Sequence, residues 1–421
     1  METSTLRKTL LHTALLTTIT SAQAQLYFDV NAATAGSGTP AAAAWNTGTN
    51  WTTAAAGDAA PVAWTNGQAA IFSAGTEAAG TWTVTVTGTI QTNSITFNGA
   101  TNNTIHNITG GTIDIGTGGL ALDASAAGGT AGRSKTISSA IIGSGGLTIA
   151  ANGDTSAGAT TNTIFTLSGA NTFLGNTTIT SGVVGYTSNF GDASNNVILD
   201  GGGLVFNTTG NFTRNLQIGT SGGTLRNYGS ATSTLTGTLS GLGDIRRTDG
   251  GTAIYTGDGS AFTGNLFVDR GTFQAGNGVL TANPVANISN ITLGDSGGAG
   301  TMRYQLDGSF TLATPISFGN VGSALIWQGT DAGDVMTINN QLGIAETTGT
   351  LRANSGSITL ASGADVLVGT VALTSTPANS ATAVVGTLNV QPGTLLKTAY
   401  MNIGEGGSTS GIVNQTGGTV T

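Results

Sequence analysis

Apolar and polar residues alternate in short runs along most of the chain. The clearest run is Trp82-Thr83-Val84-Thr85-Val86-Thr87. Trp82, Val84 and Val86 share one side and the threonines the other, the period-2 pattern of a half-buried strand. Similar runs are Ser94-Ile95-Thr96-Phe97, Thr112-Ile113-Asp114-Ile115, Leu147-Thr148-Ile149, Thr177-Thr178-Ile179, Leu266-Phe267-Val268, Ser357-Ile358-Thr359-Leu360 and Gly386-Thr387-Leu388-Asn389-Val390. Glycine-rich turns such as Gly201-Gly202-Gly203 and Gly222-Gly223 separate them. No window sustains apolar residues at i, i+3, i+4 and i+7, so no helix is predicted. Short strands at spacings of about ten residues predict an all-β chain: a sandwich, a barrel or a solenoid.

Internal repetition favours the solenoid. The stretch Leu167–Val184 aligns with Tyr255–Phe273 once a single insertion, Asp258, is allowed. Gly169 then matches Gly257, Phe173 matches Phe262, Gly175-Asn176 matches Gly264-Asn265, Ile179 matches Val268 and Gly182 matches Gly271. A related strand precedes each, at 142–147 and 239–245. In a stacked coil, one aromatic and one branched residue per turn pack against their counterparts above and below. Glycines take the corners, and outward threonines and asparagines form polar ladders. Coils of about 20–25 residues, about 4.8 Å apart, predict about 16–20 turns and a rod of about 80–95 Å. Phe173, Ile179, Phe262 and Val268 are expected to face inward.

The first repeat resembles the autotransporter-associated β-strand repeat of bacterial exported proteins. It matches that pattern at Leu167, Gly169, Asn171, Thr172, Phe173, Gly175, Thr177, Ile179, Gly182 and Val184. The second repeat departs at Ser260, Ala261 and Leu266. Trp45-Asn46-Thr47, Asn50-Trp51-Thr52 and Trp64–Phe72 resemble the usual start of such proteins, and Gly411–Val420 resembles another of their coils. The resemblance implies a right-handed parallel β-helix of the pectin-lyase-like type, displayed as a passenger outside the cell. Complete members carry a C-terminal β-barrel anchor. The last 90 residues hold one tyrosine, Tyr400, and no tryptophan. That is too little for the aromatic girdles of a barrel. The expectation is a chain truncated inside a coil, or a released member of the group.

The first residues predict export. Arg7 and Lys8 precede an apolar stretch from Leu10 to Ile19, and Ala22 and Ala24 supply a small-x-small cleavage pattern. Residues 1–24 are therefore read as a signal peptide, 25–100 as an N-terminal cap and start of the solenoid, and 101–421 as the repeat region. The clearest repeats lie near 142–184, 239–273 and 402–421. Losing Glu2, Arg7 and Lys8 would take the net charge from −8 to −9. No other run of about 18 apolar residues exists, so no transmembrane helix is expected in the mature chain.

Composition narrows the chemistry further. Of 421 residues 68 are glycine, 8% are charged and none is cysteine. With 12 Lys+Arg against 20 Asp+Glu, nucleic-acid binding is not expected. The absence of cysteine excludes thiolate zinc sites and cysteine nucleophiles. Of the two histidines, His12 lies in the predicted signal peptide, leaving His106, which is read as a solvent-facing strand or turn residue. Trp45, Trp51, Trp64 and Trp82 are either a sugar-stacking platform or a plug for the open end of the coil, and the plug is preferred. Asp244-Ile245-Arg246-Arg247-Thr248-Asp249 is the densest charge cluster. It would suit a β-helix polysaccharide lyase, but is read as a self-neutralising cluster on a solvated strand or turn. The turns at Gly257-Asp258-Gly259 and Gly294–Gly298 lack the spacing of a calcium loop. No catalytic, cofactor or metal residue is assigned and no cofactor is expected. The expected role is that of a non-catalytic spacer or adhesin whose partners are extracellular glycans or cell-surface components. The alternatives are a polysaccharide lyase or hydrolase and a carbohydrate-binding module on an inert stalk.

Overall fold

The computed structural model describes residues 24–98, 104–125, 134–151, 164–331, 333–343, 348–373, 384–403 and 409–421. The predicted signal peptide, apart from Ala24, lies outside the described residues. The described residues form a parallel β-helix, with no helical segment among them. All eight strands expected from alternation are present. For example, Gly80–Thr85 buries Trp82 and Val84 and turns Thr83 and Thr85 outward.

The chain winds through about three strands per coil, and like strands of successive coils pair in parallel. One face stacks Gln25–Phe28, Ala69–Phe72, Ser94–Phe97, Leu120–Asp123, Leu147–Ala150 and Thr177–Ser181, and continues to Ala261–Phe262. A second face is a ladder of sixteen strands from Ala42–Ala44 to Thr419–Val420. Fifteen steps of strand spacing make this ladder about 70 Å long. Short strands such as Thr89–Gln91, Thr112–Asp114 and Ala140–Ile142 form a third side. Coil length varies: Val197 faces Leu216 on the next coil, whereas Asp365 faces Leu395.

The core is a column of inward side chains in register. On the second face one ladder position runs Trp82, His106, Lys135, Phe165, Val184, Leu204, Leu225, Arg247, Val268, Leu293, Phe318. Each of these is at most 2% exposed. Burying a large apolar side chain in this way is worth about 1.5–3 kcal/mol. Asparagines tie the corners together. Asn176 Oδ1 accepts from Asn196 N–H at 2.9 Å, and Asn215 Oδ1 from Thr238 N–H at 3.1 Å. Asn46 both donates to Thr87 O at 2.6 Å and accepts from its N–H at 2.9 Å.

Phe173, Ile179, Phe262 and Val268 are all fully buried. Their alignment by sequence nevertheless differs from their placement. Ile179 belongs to the ladder Ile179–Leu199–Ile218–Gly241–Phe262 on the first face. Its sequence match Val268 lies on the second face. The two repeats are thus rotated by one side of the coil. A strand–corner–strand unit needs only an inward aromatic, an inward branched residue and a glycine corner, and any side of the coil accepts that.

Close approach between coils is where glycine is required. A β-carbon on Gly243 would overlap the carbonyl oxygen of Gly219 in the preceding coil. Gly243→Ala must therefore push two coils apart, which should cost about 1–3 kcal/mol. Urea unfolding followed by circular dichroism checks this, and an unchanged midpoint would refute it.

Candidate functional site

The N-terminal tryptophans close the open end of the column. Trp45, Trp51 and Trp82 are fully buried and Trp64 is 9% exposed. Trp51 meets Trp45 at 5.2 Å, Trp64 at 4.8 Å and Phe28 edge-on at 5.3 Å between ring centres. Trp51 Nε1 donates to Trp45 O at 2.5 Å. The strand Trp51–Thr52 pairs antiparallel with Gln25–Phe28, covering the first edge that parallel stacking leaves open. Rings packed face to edge against one another offer no free face for sugar stacking. The plug reading is the one the geometry realises.

His106 does not face solvent. Its strand, Thr104–Thr109, pairs with Gly80–Thr85 so that His106 falls on Trp82, which fixes it inward. It is 1% exposed and lies 5.1 Å from the Phe97 ring and 5.7 Å from the Phe72 ring. Nε2 is 2.8 Å from Glu77 Oε1 and Nδ1 is 3.0 Å from Lys135 Nζ. Lys135 Nζ also donates to Thr104 O at 2.7 Å. A carboxylate only accepts and an ammonium only donates. With Glu77 as the carboxylate acceptor and Lys135 as the ammonium donor, the two contacts fit a neutral imidazole that carries its proton on Nε2. Burial pushes its pKa below the usual value; Glu77 opposes that and Lys135 adds to it. The three groups have their polar atoms facing one another inside the column. Glu77 and Lys135 lie far apart in sequence, so no local spacing announced this contact.

The cluster 244–249 is not solvated along its length. Ile245 and Arg247 point inward and Arg246 outward. Arg246 Nη1 reaches both oxygens of Asp269, one coil on, at 2.7 and 2.9 Å, and its guanidinium lies 4.7 Å from the Phe267 ring. Arg247 is fully buried and donates through Nη1 to the carbonyls of Thr248, Asp249 and Arg270. Burial lowers its pKa to about 10 against the opposing charge of Asp249. It still carries its proton at neutral pH. Asp249 holds Arg226 Nε at 2.5 Å and sits at φ 70°. The acids that neutralise the outward Arg246 and the buried Arg226 thus come from neighbouring coils, not from the same strand. Parity from Ile245 could have revealed the inward Arg247.

At the two Asp/Gly turns the carboxylates cap their own loops. Asp258 Oδ1 accepts from Ser260 N–H at 2.9 Å and Asp295 Oδ1 from Gly297 N–H at 2.7 Å. Asp307, Asp331 and Asp334 bring one carboxylate oxygen each to within 4.8 Å of one another. Such an oxygen set is the kind a hard cation takes. Asp334 Oδ2 already accepts from Thr330 N–H at 2.7 Å and Asp331 N–H at 3.0 Å. Sequence reading missed this group, because Asp307 joins the other two only through coil stacking. No helix among the described residues is long and apolar enough to cross a membrane.

The histidine makes stability pH-dependent. In the unfolded chain His106 gains a proton below about pH 6.5, while in the fold it stays neutral to lower pH. Stability should therefore be intact above about pH 6.5 and fall as pH drops below it, with a slope approaching about 1.4 kcal/mol per pH unit for this one group. In His106→Gln, an amide that can donate to Glu77 and accept from Lys135, that part of the slope should vanish. Equal slopes in the two chains over about pH 7 to 5, measured by urea unfolding, would refute the assignment.

Comparison with protein-family models, with curated proteins and with solved structures finds no match to this chain.

Proposed function

We propose that this chain is an exported, non-catalytic β-helical protein of the autotransporter-passenger type, which serves as a spacer or adhesin-like stalk at the cell surface or after secretion. The observation that carries this reading is the unbroken inward column from Trp82 to Phe318. Its groups best suited to acid–base work, His106, Lys135 and Arg247, lie inside the column. A fold that draws such groups inward favours length and rigidity over chemistry at its surface. The basic and apolar stretch at 7–19, the cleavage pattern at Ala22 and Ala24, and the repeat at 167–184 support export and family. The partners proposed are extracellular glycans or cell-surface components.

One experiment separates this from the enzyme reading. The full chain and a chain lacking residues 1–24 are expressed and fractionated, and the exported protein is assayed on acidic and neutral polysaccharides with and without calcium. Export of the full chain alone, with no turnover, is expected. Export without residues 1–24 would overturn the localisation. Turnover abolished by Arg246→Ala, the exposed arginine of the charge cluster, would establish the lyase instead.

A further inference from the structure

A small open cleft of about 270 Å³ lies where three successive coils turn the same corner, near the cap. Gly67 comes from one coil, Gln91 and Asn93 from the next, and Asp114, Gly116 and Gly118 from the third. Its lining combines three glycines and Ile115 with the polar side chains of Gln91, Thr92, Asn93 and Asp114. We propose that this cleft binds a neutral sugar, one or two pyranose rings in size. The inference goes beyond the stalk reading and does not require that the chain be exported.

Three observations carry it. The first is a rim held in place by bonds within the protein. Asp114 Oδ1 accepts from Gly116 N–H at 2.9 Å and Oδ2 from Gln91 Nε2 at 3.2 Å. Each carboxylate oxygen keeps a further lone pair for a hydroxyl. Gln91 is itself anchored through its backbone N–H to Asn66 Oδ1 at 3.0 Å, an oxygen that also accepts from Trp64 Nε1 at 3.2 Å. The aromatic plug thus orders the rim, which lowers the cost of ordering it on binding. The side-chain amide of Asn93 makes no hydrogen bond among the described residues and is exposed, so donors and an acceptor remain for a ligand.

The second observation is chemical balance. Asp114 is the one ionisable group among the lining residues. A lone carboxylate repels phosphates and uronates, which rules for neutral ligands. A lining that mixes amides and a carboxylate with apolar atoms matches a sugar ring, whose hydroxyls point outward and whose C–H face is apolar. The volume falls just below the range of pockets for larger ligands, about 300–1,000 Å³.

The third is Gly118. Gly67 and Gly116 have left-handed backbones, with φ of 85° and 56°. Gly118 does not, and a β-carbon there would meet nothing within 4 Å. Neither conformation nor packing within the chain requires glycine at this position. What the missing side chain does is leave the cleft open.

The test titrates the full chain with glucose, galactose, mannose, N-acetylglucosamine and glucuronate, followed by ligand-observed NMR. Millimolar binding of at least one neutral sugar is expected, with glucuronate bound at least about tenfold more weakly. Gly118→Leu should weaken that binding by about tenfold or more while leaving the thermal unfolding curve in place. Asp114→Asn, which changes charge but hardly shape, provides the second variant should Gly118→Leu not fold, and it should also weaken binding. Absence of binding by every neutral sugar, preference for glucuronate, or binding unchanged in the variants would each overturn the proposal.

Discussion

Each inward residue of the ladder from His106 to Leu293 stacks between its counterparts one coil before and one coil after. That constraint organises the rest of the structure. A globular core can distribute a misfit over many contacts in three dimensions, but a stacked coil has one direction in which to do so. The apolar positions of the ladder from Trp82 to Phe318 are accordingly aromatic, leucine or valine with no fixed order. It needs an end piece more than it needs a special sequence. The tryptophan cluster with its antiparallel strand supplies that end by giving the first coil a neighbour on its outer side.

The same constraint sorts titratable groups by parity. On a strand, the next inward position is two residues away whatever its side chain prefers. Arg247 is inward because Ile245 is, and His106 because it registers with Trp82. Once inside, a polar group must be satisfied within the column or by the corners around it, since desolvation costs several kcal/mol otherwise. Glu77 and Lys135 meet His106, and Arg247 Nη1 finds three backbone carbonyls where the chain turns, while its Nε and Nη2 have no partner among the described residues. Corners are also where the surface departs from flat ladders, and the cleft between Gln91 and Asp114 is such a place.

Much of this was legible in the sequence. Alternation alone placed Trp82, Val84, Phe97, Ile149 and Ile358 inward, and the repeat placed Phe173 and Phe262 in the core. What alternation does not contain is phase around the coil. The 167–184 and 255–273 stretches share a pattern yet lie one side apart, because corner lengths between strands decide on which side a strand falls. His106 was misplaced for a related reason. Thr104, His106 and Ile108 occupy one parity and Ile105 the other, so local hydrophobicity gave no clear inward face. Only the register against Trp82, set by the previous coil, decides it. Charge likewise argued that Arg247 should be solvated, while parity argued that it should not; parity prevails because exposing Arg247 would also expose Ile245.

The polar positions of the column then carry an energetic asymmetry. Exchanging one apolar position for another costs a packing mismatch, typically below about 1.5 kcal/mol when volume is kept. Moving Lys135 or Glu77 by one coil would take away the hydrogen bonds each makes with the imidazole between them, which costs about 1–3 kcal/mol for a buried polar group left unsatisfied and more for a charged one. A column made only of leucine and valine has many registers of similar energy. One that contains Glu77–His106–Lys135 near its capped end and Arg247 further along has far fewer. These groups therefore act on the fold by making slipped alignments of the coils expensive, even where an apolar side chain in the same place would give the native column more stability.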